Sequence, residues 1–251
     1  MFQEDIKKWA EASRGKVNLL KSNPVGYFIA SMLAGFYVGF AICLIFTIQT
    51  LIPGAPTKVI MGFCFSIALT LVVIAGAELF TGNNMVMTIG LTQKAIPLSD
   101  ALKLWAVCWI GNLAGSILCG ALFVGGGFTA GDAAEVFTKA ALAKTELAFL
   151  PLVVRGILCN ILVCLAVWGS GCIADGGGKI LYITLCLATF IIIGFEHSIA
   201  NMTLFSIGLL AKSTVPLTLA GAVHNLVAVT LGNMIGGICF VGLPYVLIAK
   251  E

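Results

Sequence analysis

Two short polar clusters interrupt an otherwise apolar chain: Ala77-Glu78-Leu79-Phe80-Thr81-Gly82-Asn83-Asn84 and Gly194-Phe195-Glu196-His197-Ser198-Ile199-Ala200-Asn201. An ionisable group inside a long hydrophobic run is costly unless it faces protein or a water-filled cavity, so such clusters point to chemistry. His197 is one of two histidines, and imidazole, with an unperturbed pKa of roughly 6.5, exchanges a proton near neutral pH. Glu78 and Glu196 fit two roles, as proton donors or as structural caps for N–H groups left free where a helix breaks, with Asn201 a further polar group at the second break. A small anion between low-dielectric walls faces an idealised Born cost of order 20 kcal/mol, and proton transfer to the ion removes much of it. His197, with the matching cluster around Thr81, therefore reads as the centre of an anion or proton pathway.

Other candidates are weaker. Lys144 stands at the mouth of the fourth apolar segment, where it is either a solvated interfacial lysine or a positive entrance that concentrates anions. Arg155 lies a few residues deeper and reads as a snorkelling or structurally paired side chain. His224 has no break nearby, which favours packing or a helix-to-helix hydrogen bond. Gly35/Gly39, Gly111/Gly115 and Gly232/Gly236 have the spacing of close helix approach.

The elements that must hold these residues are legible from composition. Hydrophobic residues make up 60% of the 251 and charged residues only 10%, with a mean hydropathy of +1.08, which suits a chain whose main solvent is the bilayer. Apolar runs predict six membrane passages near 25–48, 58–91, 101–123, 149–173, 180–211 and 217–248, the second and fifth broken by the polar clusters. Residues 1–22, with Ile6, Trp9, Val17 and Leu20 among charges, predict a cytoplasmic amphipathic helix, and the remainder, 23–251, a single transport domain. With the N-terminus inside, nine Lys/Arg, Lys250 among them, fall on the inner side and four on the outer, which places both termini in the cytoplasm.

The chain also echoes itself. Gly35 and Gly156, like Gly111 and Gly232, are 121 residues apart, and Glu78 and Glu196 are 118 apart. Three passages per copy is an odd number, so the expectation is an inverted 3+3 repeat over about 25–123 and 149–248. Paired interruptions in such repeats are the best sequence pointer to a transport site.

Several classes are excluded. No Lys/Arg block interleaves with aromatics, which leaves nucleic acid without support. Neither a His-Glu-x-x-His metal motif, a phosphate loop nor a Gly-x-Ser-x-Gly elbow is present, so no enzyme activity, metal or cofactor is expected, a membrane-embedded enzyme or redox subunit remaining the remote alternative. The nine cysteines form no Cys-x-x-Cys pair and read as small buried hydrophobes. The charged N-terminus predicts no cleavable signal peptide. Water and glycerol channels share six spans but carry two Asn-Pro-Ala motifs, whereas the sole Asn-Pro here is Asn23-Pro24.

Four motifs in order carry a family resemblance: Glu78-Leu79-Phe80-Thr81-Gly82, Cys159-Asn160-Ile161-Leu162-Val163-Cys164, Gly194 through Met202, and Thr230-Leu231-Gly232-Asn233. From about Asn23 to Ile248 the chain resembles the formate/nitrite transporter family. The resemblance implies an all-α, aquaporin-like protomer of six spans, assembled as a homopentamer in the cytoplasmic membrane with one pore per protomer. It further implies that His197 is the central pore histidine, that Thr81 hydrogen-bonds near it, that Asn160 lies by the central chamber and that Lys144 lies at the outer vestibule. Phe65, Leu69, Leu79, Phe80 and Phe190 match positions that form hydrophobic constrictions. Thr218 through Leu226, with His224, and Asn201 through Phe205 look like the nitrite branch, although Ile161 stands where the family often has tryptophan. The implied partners are protons and a small weak-acid anion, nitrite first and formate or hydrosulfide as alternatives.

Overall fold

Helix starts and stops follow from local chemistry. Asn23 Oδ1 accepts the Gly26 N–H at 2.9 Å and Pro24 occupies the first turn, where its missing N–H costs nothing. In the computed structural model, which describes residues 1–249, the helices run α1 (Gln3–Ser22), α2 (Pro24–Leu51), α3 (Thr57–Cys64), α4 (Ile67–Leu71), α5 (Phe80–Thr92), α6 (Leu98–Gly125), α7 (Asp132–Thr145), α8 (Phe149–Cys172), α9 (Gly176–Ile193), α10 (Ser198–Leu210), α11 (Leu219–Gly237) and α12 (Leu243–Ala249). π-helical turns at Val72–Gly76 and Ile238–Gly242 extend α4 and join α11 to α12. Lys250, counted above on the inner side, lies outside the described residues.

Six stretches are long and apolar enough to cross a membrane: Pro24–Leu51, Thr57–Gly76, Leu98–Gly125, Phe149–Cys172, Gly176–Ile193 and Leu219–Ala249. The first, third, fourth and sixth match the predicted passages to within a few residues, whereas the second and fifth stop at Gly76 and Ile193, well short of the predicted ends at 91 and 211. The second and fifth each resolve into a long helix, an extended break and a half-helix, α5 or α10. Both breaks begin at a glycine with positive φ, Gly76 at 83° and Gly194 at 97°, a conformation that a side chain disfavours. Large apolar side chains such as Ile29, Phe40, Leu102 and Leu185 are exposed, as expected of helices surrounded by acyl chains or partner subunits.

The predicted small-residue contacts are real and tight. A Cβ on Gly35 would fall 2.0 Å from the Asn112 carbonyl oxygen, and one on Gly115 1.9 Å from that of Met32, so α2 and α6 touch backbone to backbone. In the second half Gly232 and Gly236 meet the Val153 and Ile157 carbonyls in the same way, at 2.2 and 2.4 Å, which joins α11 to α8. In lipid, where water does not drive helices together, such close approach is the main source of cohesion.

Each half also includes a peripheral helix. α1 packs on α5, and α7 packs on α10. The sequence reading anticipated α1, whose Ile6, Val17 and Leu20 are buried, but it set residues 1–22 apart from the repeats and gave α7 no helix. The structure makes both helices part of their own half.

Candidate functional site

Each break leaves backbone groups at the start of a half-helix that must be satisfied internally. In the first half Asn112 Oδ1 accepts the Phe80 N–H at 2.9 Å, while its Nδ2 donates to the Ser31 and Glu78 carbonyls at 2.7 and 2.8 Å. The second half repeats the pattern, with one carbonyl acceptor displaced by a helical turn. Asn233 Oδ1 accepts the Ser198 N–H at 2.9 Å, and its Nδ2 donates to the Gly156 and Glu196 carbonyls at 2.8 and 3.0 Å. The capping role that the sequence reading offered Glu78 and Glu196 therefore belongs to Asn112 and Asn233. Both lie in a Gly-Asn dipeptide, Gly111-Asn112 and Gly232-Asn233, but nothing local in it marks a cap.

The two glutamates instead hold the peripheral helices. Glu78 receives the Lys16 ammonium at 2.5 Å, the Asn83 amide at 2.9 Å and the Tyr27 hydroxyl at 3.1 Å. Glu196 receives Lys144 at 2.8 Å and the Asn201 amide at 2.7 Å. Asn201 thus keeps the structural role expected of it. Because the Glu196 side chain is only 3% exposed, removing its lysine leaves a buried charge, which typically costs about 3–5 kcal/mol. The expected open positive entrance at Lys144 is accordingly an ion pair.

His197 and Thr81 come together. Thr81 Oγ1 and His197 Nε2 are 3.0 Å apart, and the Ala200 N–H donates to His197 Nδ1 at 3.2 Å. His197 is therefore the N-cap of α10 as well as a partner of Thr81. A ring nitrogen that accepts a backbone N–H carries no proton, so the hydrogen-bond pattern assigns the neutral Nε2–H tautomer, which donates to Thr81. The Phe190 ring stacks on the imidazole, with centroids 6.0 Å apart and planes at 19°. Asn160 approaches from α8. Its amide donates to the Thr81 and Asn233 carbonyls at 3.1 and 2.6 Å, fixing the backbone that presents the threonine hydroxyl.

Three cavities line up through shared walls. A vestibule of about 440 Å³ on the α1 side is lined by Lys16, Leu69, Glu78 and Leu79 among others. Leu69 and Leu79 also line a void of about 10 Å³ together with Phe65, Phe190 and His197. Phe190 and His197 in turn line a cavity of about 170 Å³ on the α7 side that reaches Lys58, Lys144 and Asn201. Phe65 meets Phe190 edge to face at 5.4 Å. The central void has room for about one water-sized probe, so an ion that enters it sheds most of its hydration shell. Phe80, expected at a constriction, is buried and is not among the residues that line the three cavities. His224 contacts the Leu147 carbonyl at 3.2 Å, in line with the packing role expected of it.

Two broken helices that meet at a buried histidine between two vestibules define a membrane transport protein. The formate/nitrite transporter family model matches residues 3–247, and the chain belongs to that family. Nitrite transporter NirC of Escherichia coli K12 is 43% identical over 249 residues, which cover 98% of this chain and 91% of that protein. A solved FNT family ion channel superposes with a TM-score of 0.95 at 40% identity, covering 99% of this chain and all of that one. A pentameric formate channel with formate bound gives 0.81 at 29% identity, covering 92% and 99%. This protein is a multi-pass membrane transporter of that family, not an enzyme.

Proposed function

We propose that each protomer conducts nitrite, or formate or hydrosulfide as closely similar weak-acid anions, through the line of cavities past His197. The observation that carries this reading is the Thr81–His197 contact at 3.0 Å beside a void bounded by Leu69, Leu79, Phe65 and Phe190. Apolar walls exclude a bare hydrated ion, and one hydrogen-bonding pair stands where the ion is driest. Protonated transit requires Nδ1 to release the Ala200 N–H and take a proton before Nε2 hands its own to the anion, so the ring is neutral before and after. Conduction as the anion instead uses the Nε2–H as a fixed donor.

The solved pentameric formate channel supports a homopentamer, and the duplicated capping pattern supports an inverted repeat. The excess of inner Lys and Arg supports cytoplasmic termini in the cell membrane. The test is anion-specific flux into proteoliposomes at controlled pH, with nitrite and formate compared. Flux that rises as pH falls supports proton-accompanied transit, and the absence of flux for every small anion overturns the proposal.

A further inference from the structure

The two sides of the pathway differ in charge. On the α1 side the only charged residues lining the vestibule are Lys16 and Glu78, and they neutralise each other in an ion pair at 2.5 Å. On the α7 side the deep cavity is adjoined by an outer one of about 530 Å³, lined by Gln49, Pro53, Thr57, Lys58 and Met61 among others. Lys58 and Met61 line both cavities and so stand at their junction. Among the described residues, the only charged side chains lining this pair of cavities are Lys58 and Lys144. Lys144 is spent on Glu196 at 2.8 Å, whereas Lys58 has no carboxylate within 4.0 Å among the described residues. Glu135 on neighbouring α7 is itself engaged by Lys139 at 3.7 Å and by Ser213 and Thr214.

Lys58 is also aimed at the break. A Cβ built on Gly194 would lie 3.4 Å from Lys58 Nζ, so the ammonium reaches the loop that carries Glu196 and His197.

We infer that Lys58, not Lys144, forms a capture site for a small monovalent anion at the junction of the two α7-side cavities. The inference rests on the anion-conduction reading above and adds the residue and the side of entry. An uncompensated ammonium within about one Debye length of the path raises local anion concentration, and salt removes the effect. The pathway is then asymmetric, with anions from the α7 side steered and those from the α1 side not.

The experiment uses full-length protein in vesicles of one orientation, verified by tag accessibility. Nitrite and formate flux is measured from each side at about 10 mM and about 500 mM salt, where the Debye length runs from about 30 Å to below 5 Å. Lys58→Gln is expected to lower the apparent affinity for anion presented on the α7 side about threefold at low salt, with no change at high salt or in the apparent affinity from the α1 side. Lys58→Glu should lower it further and reverse the salt dependence. Equal apparent affinities for wild type and both variants at low salt overturn the assignment, as does a loss that is independent of salt or of side. Wild-type vesicles that pass neither anion overturn the conduction reading itself, so the two failures are distinguishable.

Discussion

Replacing His197 separates its two roles, because the ring caps α10 through Nδ1 and meets Thr81 through Nε2. Asparagine is among the best N-cap residues, so His197→Asn retains an acceptor for the Ala200 N–H, while its shorter side chain gives up the Thr81 contact made by Nε2. Leucine retains bulk but no acceptor. Losing the cap costs about 0.5–2 kcal/mol, and leaving the buried Thr81 hydroxyl without its partner costs about 1–3 kcal/mol more. Thermal unfolding of the detergent-extracted oligomer should therefore rank wild type first, Asn below it by the Thr81 contact and Leu lowest by the cap as well. Proteoliposome flux should behave differently. Both variants lack a titratable ring, so Asn, although fully folded, should conduct only as the anion or not at all, with a flat response from pH 5 to 8. If Asn keeps the wild-type rate and pH dependence, His197 has no proton role, and if Leu is as stable as Asn, the capping argument is wrong.

Thr81→Ser should match wild type in the same assay while Thr81→Val shifts its pH dependence, and equal impairment of both would make methyl packing, not the hydroxyl, the important feature. Lys144→Ala should destabilise the protein by about 3–5 kcal/mol by stranding Glu196, and adding Glu196→Gln should recover much of that in thermal unfolding; a double variant no more stable than the single one would refute the pairing argument. Gly115→Ala should lower the yield of folded oligomer in detergent sharply, because its Cβ meets the Met32 carbonyl at 1.9 Å, and normal assembly of this variant would show that α2 and α6 can separate without loss.

The six passages and the two breaks were legible because each rests on a local signal, apolar length or polar interruption, whereas the Thr81–His197 contact was what the family resemblance implied and no local feature specifies it. What escaped the sequence reading depends on groups brought from far along the chain. Asn112 and Asn233 sit in apolar helices about 30 residues from the N–H groups they cap, and nothing in their surroundings marks them as caps. The partner of Glu78 is a lysine on α1, and the partner of Glu196 is a lysine on α7, a helix whose modest apolar face was read as loop. Lys144 could be seen near an entrance but not seen to be neutralised.

The duplicated scaffold explains why so few residues decide the chemistry. Glu78 and Glu196, Asn83 and Asn201, and Asn112 and Asn233 occupy equivalent places and make equivalent bonds. The residue that follows each glutamate is where the halves part. Leu79 precedes α5 with no side-chain cap, while His197 precedes α10 and caps it. Leu79 lines the central void and the α1-side vestibule, and His197 lines the same void and the α7-side cavity. On the proposed path an anion arriving from the α7 side would meet the imidazole before it enters the void, and one arriving from the α1 side would meet a leucine. A dry wall raises the free energy of the ion and a donor lowers it, so the steepest part of the barrier lies between Leu79 and the imidazole. On this argument Leu79→Asn, which wets the dry side of the void, should raise flux of the anionic form more than any substitution at Phe190, whose ring already stacks on the histidine.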